Sequence, residues 1–490
     1  MYERHRVAAP DATMYWLSQR TRNDLFLLYA FRDRGVPTAD LRAQVLRRVA
    51  DIPGLRVRLR AVPRDLDYPS WVPCAFASDQ FVEHPLPQPD WPHLQAAVGD
   101  LLGTGVDAAD RPWRLHLFRG VAGAPMAADD PCTVVVLQMS HALADGRHGA
   151  ALARALFGAE EVGAVNPPAV GAAVDSVPGA LAAASGKKPG TTGVGLNRAR
   201  SVAAALAPAL GVSRFPVQAV RTLTSGYRAY RAQRELAALS ESGRLPGPAP
   251  SFAPSLVNPA AAPADSEHRV RMLVFDAAAL RLPDRTVTVA ALTAVSVALS
   301  EYLAQRGRPV ERSGAQVPMA LPGKSAARNH YRSLGVDLHL SESDLTARSA
   351  AIAADQSARR VRATHPLLTA QDAVTAVTPA LLLRRDVAGY PLDTVPDALA
   401  GHTVVSSVHR GPADLTFGGP SLFTAGFPAI GTVMHLTHGV HGLGDTVTIS
   451  IHADSAAMPD IDAYADLLRG AVARVTAAHL PGDRRPLDDR

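Results

Sequence analysis

Apolar positions recur along this chain with two different periods, and each change of period marks an element. Ala39 to Arg48 and Leu94 to Leu102 carry the three-to-four-residue spacing of helices. Between them, YPSWVP at Tyr68 to Pro73 reads as a turn-rich segment. WRLHLFRG (Trp113 to Gly120) and CTVVVLQM (Cys132 to Met139) read as strands, the second apolar enough to be buried. Helical spacing returns in RHGAALARALFG, with Gly158 as its C-terminal stop.

From about Asn166 to Ser266 the composition shifts to Ala, Pro, Gly and Ser, with apolar helical pieces at Ala199 to Leu210 and Val217 to Leu239. This stretch reads as a connector containing helices. HRVRMLVFD (His268 to Asp276) opens a second α/β unit, followed by a helix over Val287 to Gln305. Strands are then expected at Gly335 to Leu340, His402 to Val408 and Asp445 to Asp454, and a last amphipathic helix over Asp460 to Ala478. The expected organisation is an N-terminal lobe over 1–165, a basic connector over 166–266 and a C-terminal lobe over 267–490.

Composition narrows this picture. At 490 residues, 47% hydrophobic and 19% charged, the chain is globular and too long for one ordinary core. Its longest apolar run, Thr286 to Ala304, contains five Ser or Thr and a Glu, and reads as a buried helix instead of a membrane span. Two cysteines, Cys74 and Cys132, and a start without an uninterrupted apolar core point to a reducing, cytoplasmic setting.

The net charge of +5 is unevenly placed: Lys187 to Arg234 holds nine Lys or Arg and no Asp or Glu. No zinc-finger, RNA-recognition or helix-turn-helix signature accompanies it, so nucleic acid is not the expected partner. Arg214, Arg221, Arg228, Arg231 and Arg234 alternate with Ala, Val, Leu and Tyr, a pattern for an anionic membrane surface or a solvated basic face.

The chemistry concentrates in QMSHALADGRHG, Gln138 to Gly149. A histidine at the end of a buried strand, followed by a short turn, is held rigidly while one ring nitrogen faces a cavity, as a general base requires. His141 is so placed. Asp145 is expected to fix the loop by pairing with an Arg, a proton relay being its alternative role, and Gly146 lets the backbone turn before the next helix. Arg111 reads as an ion-pair partner and Trp113 as a core anchor. HLTHGVHG spaces His435, His438 and His441 by three, but the interleaved glycines argue against the helix that would align them on a metal, and no metal is expected.

SHALADG resembles the HHxxxDG motif of the bacterial wax ester synthase/diacylglycerol acyltransferase family, within the superfamily of chloramphenicol acetyltransferase-like and condensation enzymes. YPSWVP resembles the segment before that family's first strands. VDAADRPWRLHLFRG resembles its LD-x-x-RPLWE block through Asp107, Arg111, Pro112 and Trp113. QVPMALPGKSAARNHYRSLGVDL resembles VPVSLR followed by GN, which aligns Asn329. VVSSVHRGP resembles SNVPGP, and ISIHADSAAMPD the closing strand and turn. The chain departs from the family pattern in four places: Ser140 stands for the first motif histidine, Thr288-Val289 for an Asn-Asp pair, Ser407 for the Asn of SNVPGP, and Pro112-Trp113 shortens PLW.

The resemblance implies an α/β fold of two chloramphenicol acetyltransferase-like lobes, each a mixed sheet with helices, meeting at a central channel. It implies ester formation from acyl-CoA and diacylglycerol or a long-chain alcohol, with His141 as general base and no cofactor beyond acyl-CoA as co-substrate. Ser140 and Gly146 would support the motif, and Asn329, Ser406, Ser407 and Thr288 would line the channel. The implied setting is cytoplasmic, with peripheral contact to the inner membrane face or a lipid droplet. Two alternatives stay open: an acyltransferase for another hydroxyl or an amine, and a non-catalytic lipid-binding relative.

Overall fold

The computed structural model describes residues 5–158, 219–259, 267–392, 394–431 and 433–480. Lys187, Arg214 and the helical piece expected at Ala199 to Leu210 lie outside them.

The first half runs β1 (His5–Arg6), α1 (Ala9–Ser18), β2 (Leu25–Arg32), α2 (Thr38–Asp51), β3 (Val57–Arg60), β4 (Ser70–Pro73), β5 (Phe81–Glu83), α3 (Trp91–Leu102), β6 (Trp113–Val121), β7 (Cys132–Met139) and α4 (Gly146–Phe157). A helix over residues 219–241, α5, follows. The second half runs β8 (His268–Asp276), α6 (Val287–Gln305), β9 (Gly314–Ala320), β10 (Tyr331–Asp337), α7 (Leu345–Ala363), α8 (Pro366–Val377), α9 (Ala380–Gly389), β11 (Thr403–His409), β12 (Ser421–Phe427), β13 (Leu436–Leu443), β14 (Thr446–Asp454) and α10 (Ile461–His479).

Two mixed sheets organise these elements. The first has the order β12-β2-β7-β6-β5 and the second β10-β9-β11-β13-β14-β8, while β1, β4 and β3 form a small third sheet. YPSWVP, expected as a turn, supplies β4, because Trp71 and Ser70 pair with both β1 and β3.

Strand β7 is buried along its whole length, which explains its nearly unbroken apolar run. Val135, Leu137 and Met139 face a core with Trp16, Leu152 and Phe157 from α1 and α4. Val134 and Val136, on the other face by strand alternation, meet Leu94 and Val98 of α3 and Met272 of β8. In the second lobe α6 is buried among Ile449, Tyr464 and Leu468 from β14 and α10. By length and composition α6 is apolar enough to cross a bilayer, and it serves here as a core helix.

The lobes are not separated by one cut at residue 267, as the sequence suggests. Strand β12 comes from the second half yet pairs antiparallel with β2 of the first sheet, Phe427 lying opposite Phe26. Helix α3 reciprocates by packing on β8. A Cβ at Gly99 would lie 2.3 Å from the His268 carbonyl oxygen, so glycine sets that approach. Gln95 Oε1 accepts from the Met272 amide across the same seam at 3.2 Å. The described part of the connector lies on the second lobe, where Thr222 donates to the Val377 carbonyl and Arg362 to Ser240 Oγ.

Candidate functional site

The SHALADG turn is built by its own residues. The Ser140 amide donates to the Pro112 carbonyl at 2.8 Å, ending the strand, and the Ser140 carbonyl receives the Leu143 amide at 2.8 Å. Ser140 is fully buried, and its Oγ accepts from the Ala142 amide at 3.3 Å. Asp145 then starts α4 as an N-cap, its Oδ1 accepting from the His148 amide at 2.8 Å. His141 thus sits at the top of a turn fixed at both ends, partly exposed while its neighbours Ala142 to Asp145 are buried.

The second lobe reaches this turn through three consecutive residues before β10. Arg328 and Asn329 both donate backbone amides to the Asp11 carboxylate of α1, at 2.9 and 2.8 Å. Asn329 Nδ2 donates to Asp11 Oδ1 at 3.0 Å and to the His141 carbonyl at 2.7 Å. The His330 amide donates to Asp145 Oδ2 at 3.3 Å, and Arg328 Nη1 to the Leu143 carbonyl at 3.2 Å. The Arg328 guanidinium also stacks 4.3 Å over the Trp71 ring, and the Tyr331 ring lies 6.0 Å from that of His141.

Burial lowers the His141 pKa, opposed by its own backbone, the Asn329 side chain and the charges of Asp145 and Asp11. The imidazole is therefore neutral at pH 7 and can accept a proton. Its Nδ1 is buried against the protein, which leaves Nε2 as the nitrogen that can meet a substrate. Burial raises Asp11, against the hydrogen bonds from Arg328 and Asn329. It also raises Tyr331, to which the Asp145 charge adds.

The other expected site residues divide. Asp145 makes no ion pair with an arginine among the described residues; it caps α4 and holds the second lobe, because its two oxygens are taken by the His148 and His330 amides. Arg111 pairs with Asp110 at 2.9 Å, and Trp113 is fully buried with Nε1 donating to the Leu55 carbonyl. A Cβ at Gly146 would meet Val408 of β11 at 3.6 Å, and strand alternation puts Ser406 on that same face. Ser407 faces the other way. Thr288 Oγ1 donates to its Oγ at 3.0 Å, a bond that ties the start of α6 to β11.

The three histidines of HLTHGVHG lie on or beside β13 and part company. His435 meets Asp454 at 3.0 Å and His438 meets Tyr464 Oη at 2.8 Å. His441 is buried, and that burial, joined by the Arg410 charge, holds its pKa well below the usual imidazole range. No group of three or more potential ligands that could hold a metal occurs among the described residues.

Asp11, Arg328 and Tyr331 were not legible as site residues. Asp11 reads as an ordinary acidic residue in a helix's first turn, which favours the helix dipole wherever it occurs. An N-cap role for Asp145 has a local signal, since an Asp directly before a helical run is a preferred cap.

Residues 8–247 match the family model of the wax ester synthase/diacylglycerol acyltransferase catalytic domain. No curated protein matches. Among solved structures, a wax ester synthase/diacylglycerol acyltransferase from Marinobacter aquaeolei VT8 is similar at 16% identity and a TM-score of 0.57, over 96% of this chain and 99% of that one. A variant starter condensation domain of rhizomide synthetase, in complex with C8-CoA and Leu-SNAC, is similar at 13% identity and a TM-score of 0.53, over 97% and 94%. At these identities the solved structures share the fold.

Proposed function

The chain belongs, through residues 8–247, to the wax ester synthase/diacylglycerol acyltransferase family, and from that premise we propose that it moves an acyl group from coenzyme A to the hydroxyl of diacylglycerol or a long-chain alcohol. The observation that carries the reading is His141: a neutral imidazole, partly open, on a turn that both lobes hold.

In this mechanism the acceptor hydroxyl gives its proton to His141 Nε2 as its oxygen attacks the thioester carbonyl carbon. The C–O bond forms and the carbonyl pair moves onto oxygen. The tetrahedral intermediate then re-forms its carbonyl, the C–S bond breaks, and the coenzyme A thiolate takes the proton back from His141. The acyl group passes directly from sulfur to the acceptor oxygen, without an acyl-enzyme. Ser406 shares a strand face with Val408, which meets Gly146 of the motif, and its hydroxyl is the proposed donor to the developing oxyanion.

The test is an acceptor panel with labelled palmitoyl-CoA: diacylglycerol, hexadecanol, an amine and water, with the products separated. Triacylglycerol or wax ester is the expected product. A second reading, transfer to an amine, draws on the likeness to the condensation domain that was solved with Leu-SNAC. Amide formed without ester would select it, and hydrolysis alone would reject both.

On this reading the protein works at the cytoplasmic face of an anionic membrane, which it meets through α5. Val220, Leu223, Tyr227 and Tyr230 fall on one face of that helix, with Leu223 75% and Tyr230 59% exposed. Arg221, Arg228, Arg231 and Arg234 are exposed around this stripe, while Ala232 and Leu236 are buried on the opposite side. Cationic stems flanking an apolar stripe suit a headgroup interface. Liposome flotation should recover the protein on vesicles containing phosphatidylserine and lose it as salt rises. Equal recovery on neutral and anionic vesicles would remove the membrane from the account.

A further inference from the structure

We propose that Asp11 and Asn329 form a positioning relay that sets the His141 turn, so that the first helix of the chain takes part in catalysis without touching substrate. The proposal rests on His141 being the base. Its foundation is geometric. The Asp11 carboxylate, 1% exposed, accepts three hydrogen bonds from Arg328 and Asn329. The same Asn329 Nδ2 that meets Asp11 also holds the His141 carbonyl at 2.7 Å.

Without the carboxylate, three donors on Arg328 and Asn329 would face one another with no common acceptor, in a place closed to water. Asn329 would then be free to turn, and its hold on the His141 carbonyl would weaken. That hold matters because the carbonyl and the imidazole belong to one residue: fixing the backbone of the turn fixes where Nε2 points. A displacement of a fraction of an ångström at a proton-transferring nitrogen lowers rate while leaving binding nearly intact.

The titratable and charged groups around the His141 turn come from four elements. Asp145 sits on its own turn, Asp11 on α1, His148 on α4, and Arg328, His330 and Tyr331 on the segment entering β10. Of these, the carboxylates of Asp145 and Asp11 favour the imidazolium. Asp11→Asn removes one such charge, so the acid limb of the kcat/KM profile should move to lower pH, a shift that a merely structural residue would not produce.

The test uses the full-length protein and four variants: Asp11→Asn, Asn329→Ala, the double variant, and His141→Ala as reference. Asn329→Ala deletes the amide that links Asp11 to His141 while leaving both backbone amides on the Asp11 carboxylate, so the fold should survive even where Asp11→Asn does not. Asp11→Asn and Asn329→Ala should each lower kcat about tenfold or more per folded molecule, with KM for acyl-CoA nearly unchanged. The double variant should be no slower than Asn329→Ala alone, because both changes cut the same relay. Unchanged kcat in Asn329→Ala overturns the relay, as does a loss in Asp11→Asn that follows melting temperature alone with the acid limb unmoved. Wild-type turnover in His141→Ala would instead overturn the base assignment on which the relay rests.

Discussion

His141→Ala is expected to lower ester formation by about 10² to 10⁴ while leaving acyl-CoA binding largely intact, since that is the range lost when a positioned general base is removed. The fold should tolerate the change. His141 is partly exposed, and the second lobe holds the turn through its backbone carbonyl, which alanine keeps. Circular dichroism and melting temperature close to wild type, with turnover nearly gone, is the anticipated pair of results. In the wild type, the burial that lowers the His141 pKa should place the acid limb of the rate profile below the ordinary imidazole value of about 6.5.

The second large effect is on stability. Burial pushes His116 down to about 4, and His438 and His452 each down to about 3. Their hydrogen bonds explain why each must stay neutral. His452 Nδ1 donates to the Pro428 carbonyl, so its Nε2 is left to accept from His268 Nδ1 at 2.9 Å. In His438 the roles are fixed by Thr403, whose hydroxyl is committed to the Leu436 carbonyl. His438 Nδ1 therefore donates to Thr403 Oγ1, and Nε2 accepts from Tyr464 Oη. His116 Nε2 donates to Gln138 Oε1, and its Nδ1 accepts from His84 Nε2. A proton on any of the three accepting nitrogens would set two donors against each other inside the core.

The unfolded chain binds these protons near pH 6.5, whereas the folded protein refuses them until about pH 4 for His116 and about pH 3 for the other two. The unfolded state thus carries more protons throughout that window, and stability falls as pH drops below 6.5. Each of these three groups contributes about 1.4 kcal/mol by one pH unit below its unfolded value, so their joint share of the stability lost between about pH 7.5 and about pH 5.5 should be about 4 kcal/mol. Urea denaturation at the two pH values measures it. Equal unfolding free energies at both would mean that these histidines are not held neutral in the fold. His438→Gln, which keeps a polar side chain but cannot titrate, should reduce the stability lost over this range by about 1.4 kcal/mol.

Elements whose burial follows a simple geometric rule were legible in the chain. Strand β7 is buried on both faces and reads as a nearly unbroken apolar run, and α6 is mostly buried in the second core and mainly apolar, without a strongly polar face. The motif histidine was found because a buried strand, a short turn and a helix meet there within about a dozen residues. What escaped reading depends on distant partners. YPSWVP becomes a strand only because β1 and β3 flank it, and nothing within those six residues announces either neighbour. Strand β12 looks like part of a C-terminal lobe until it pairs with β2, nearly four hundred residues earlier. Asp145 carries the local signal of an N-cap, but its second oxygen answers to the His330 amide on the other lobe. Asp11 is the extreme case, a helix-start carboxylate whose three donors all come from residues 328 and 329.

The central claim is that His141 carries the proton from an acceptor hydroxyl to the coenzyme A thiolate, and one measurement bears on it most directly. Purified wild-type protein and His141→Ala are given labelled palmitoyl-CoA with hexadecanol or diacylglycerol, and free coenzyme A thiol and labelled ester are counted in the same reaction. The account predicts one ester for each thiol released by the wild type, and neither product above background from a folded His141→Ala. Matched ester and thiol from His141→Ala at the wild-type rate would contradict it.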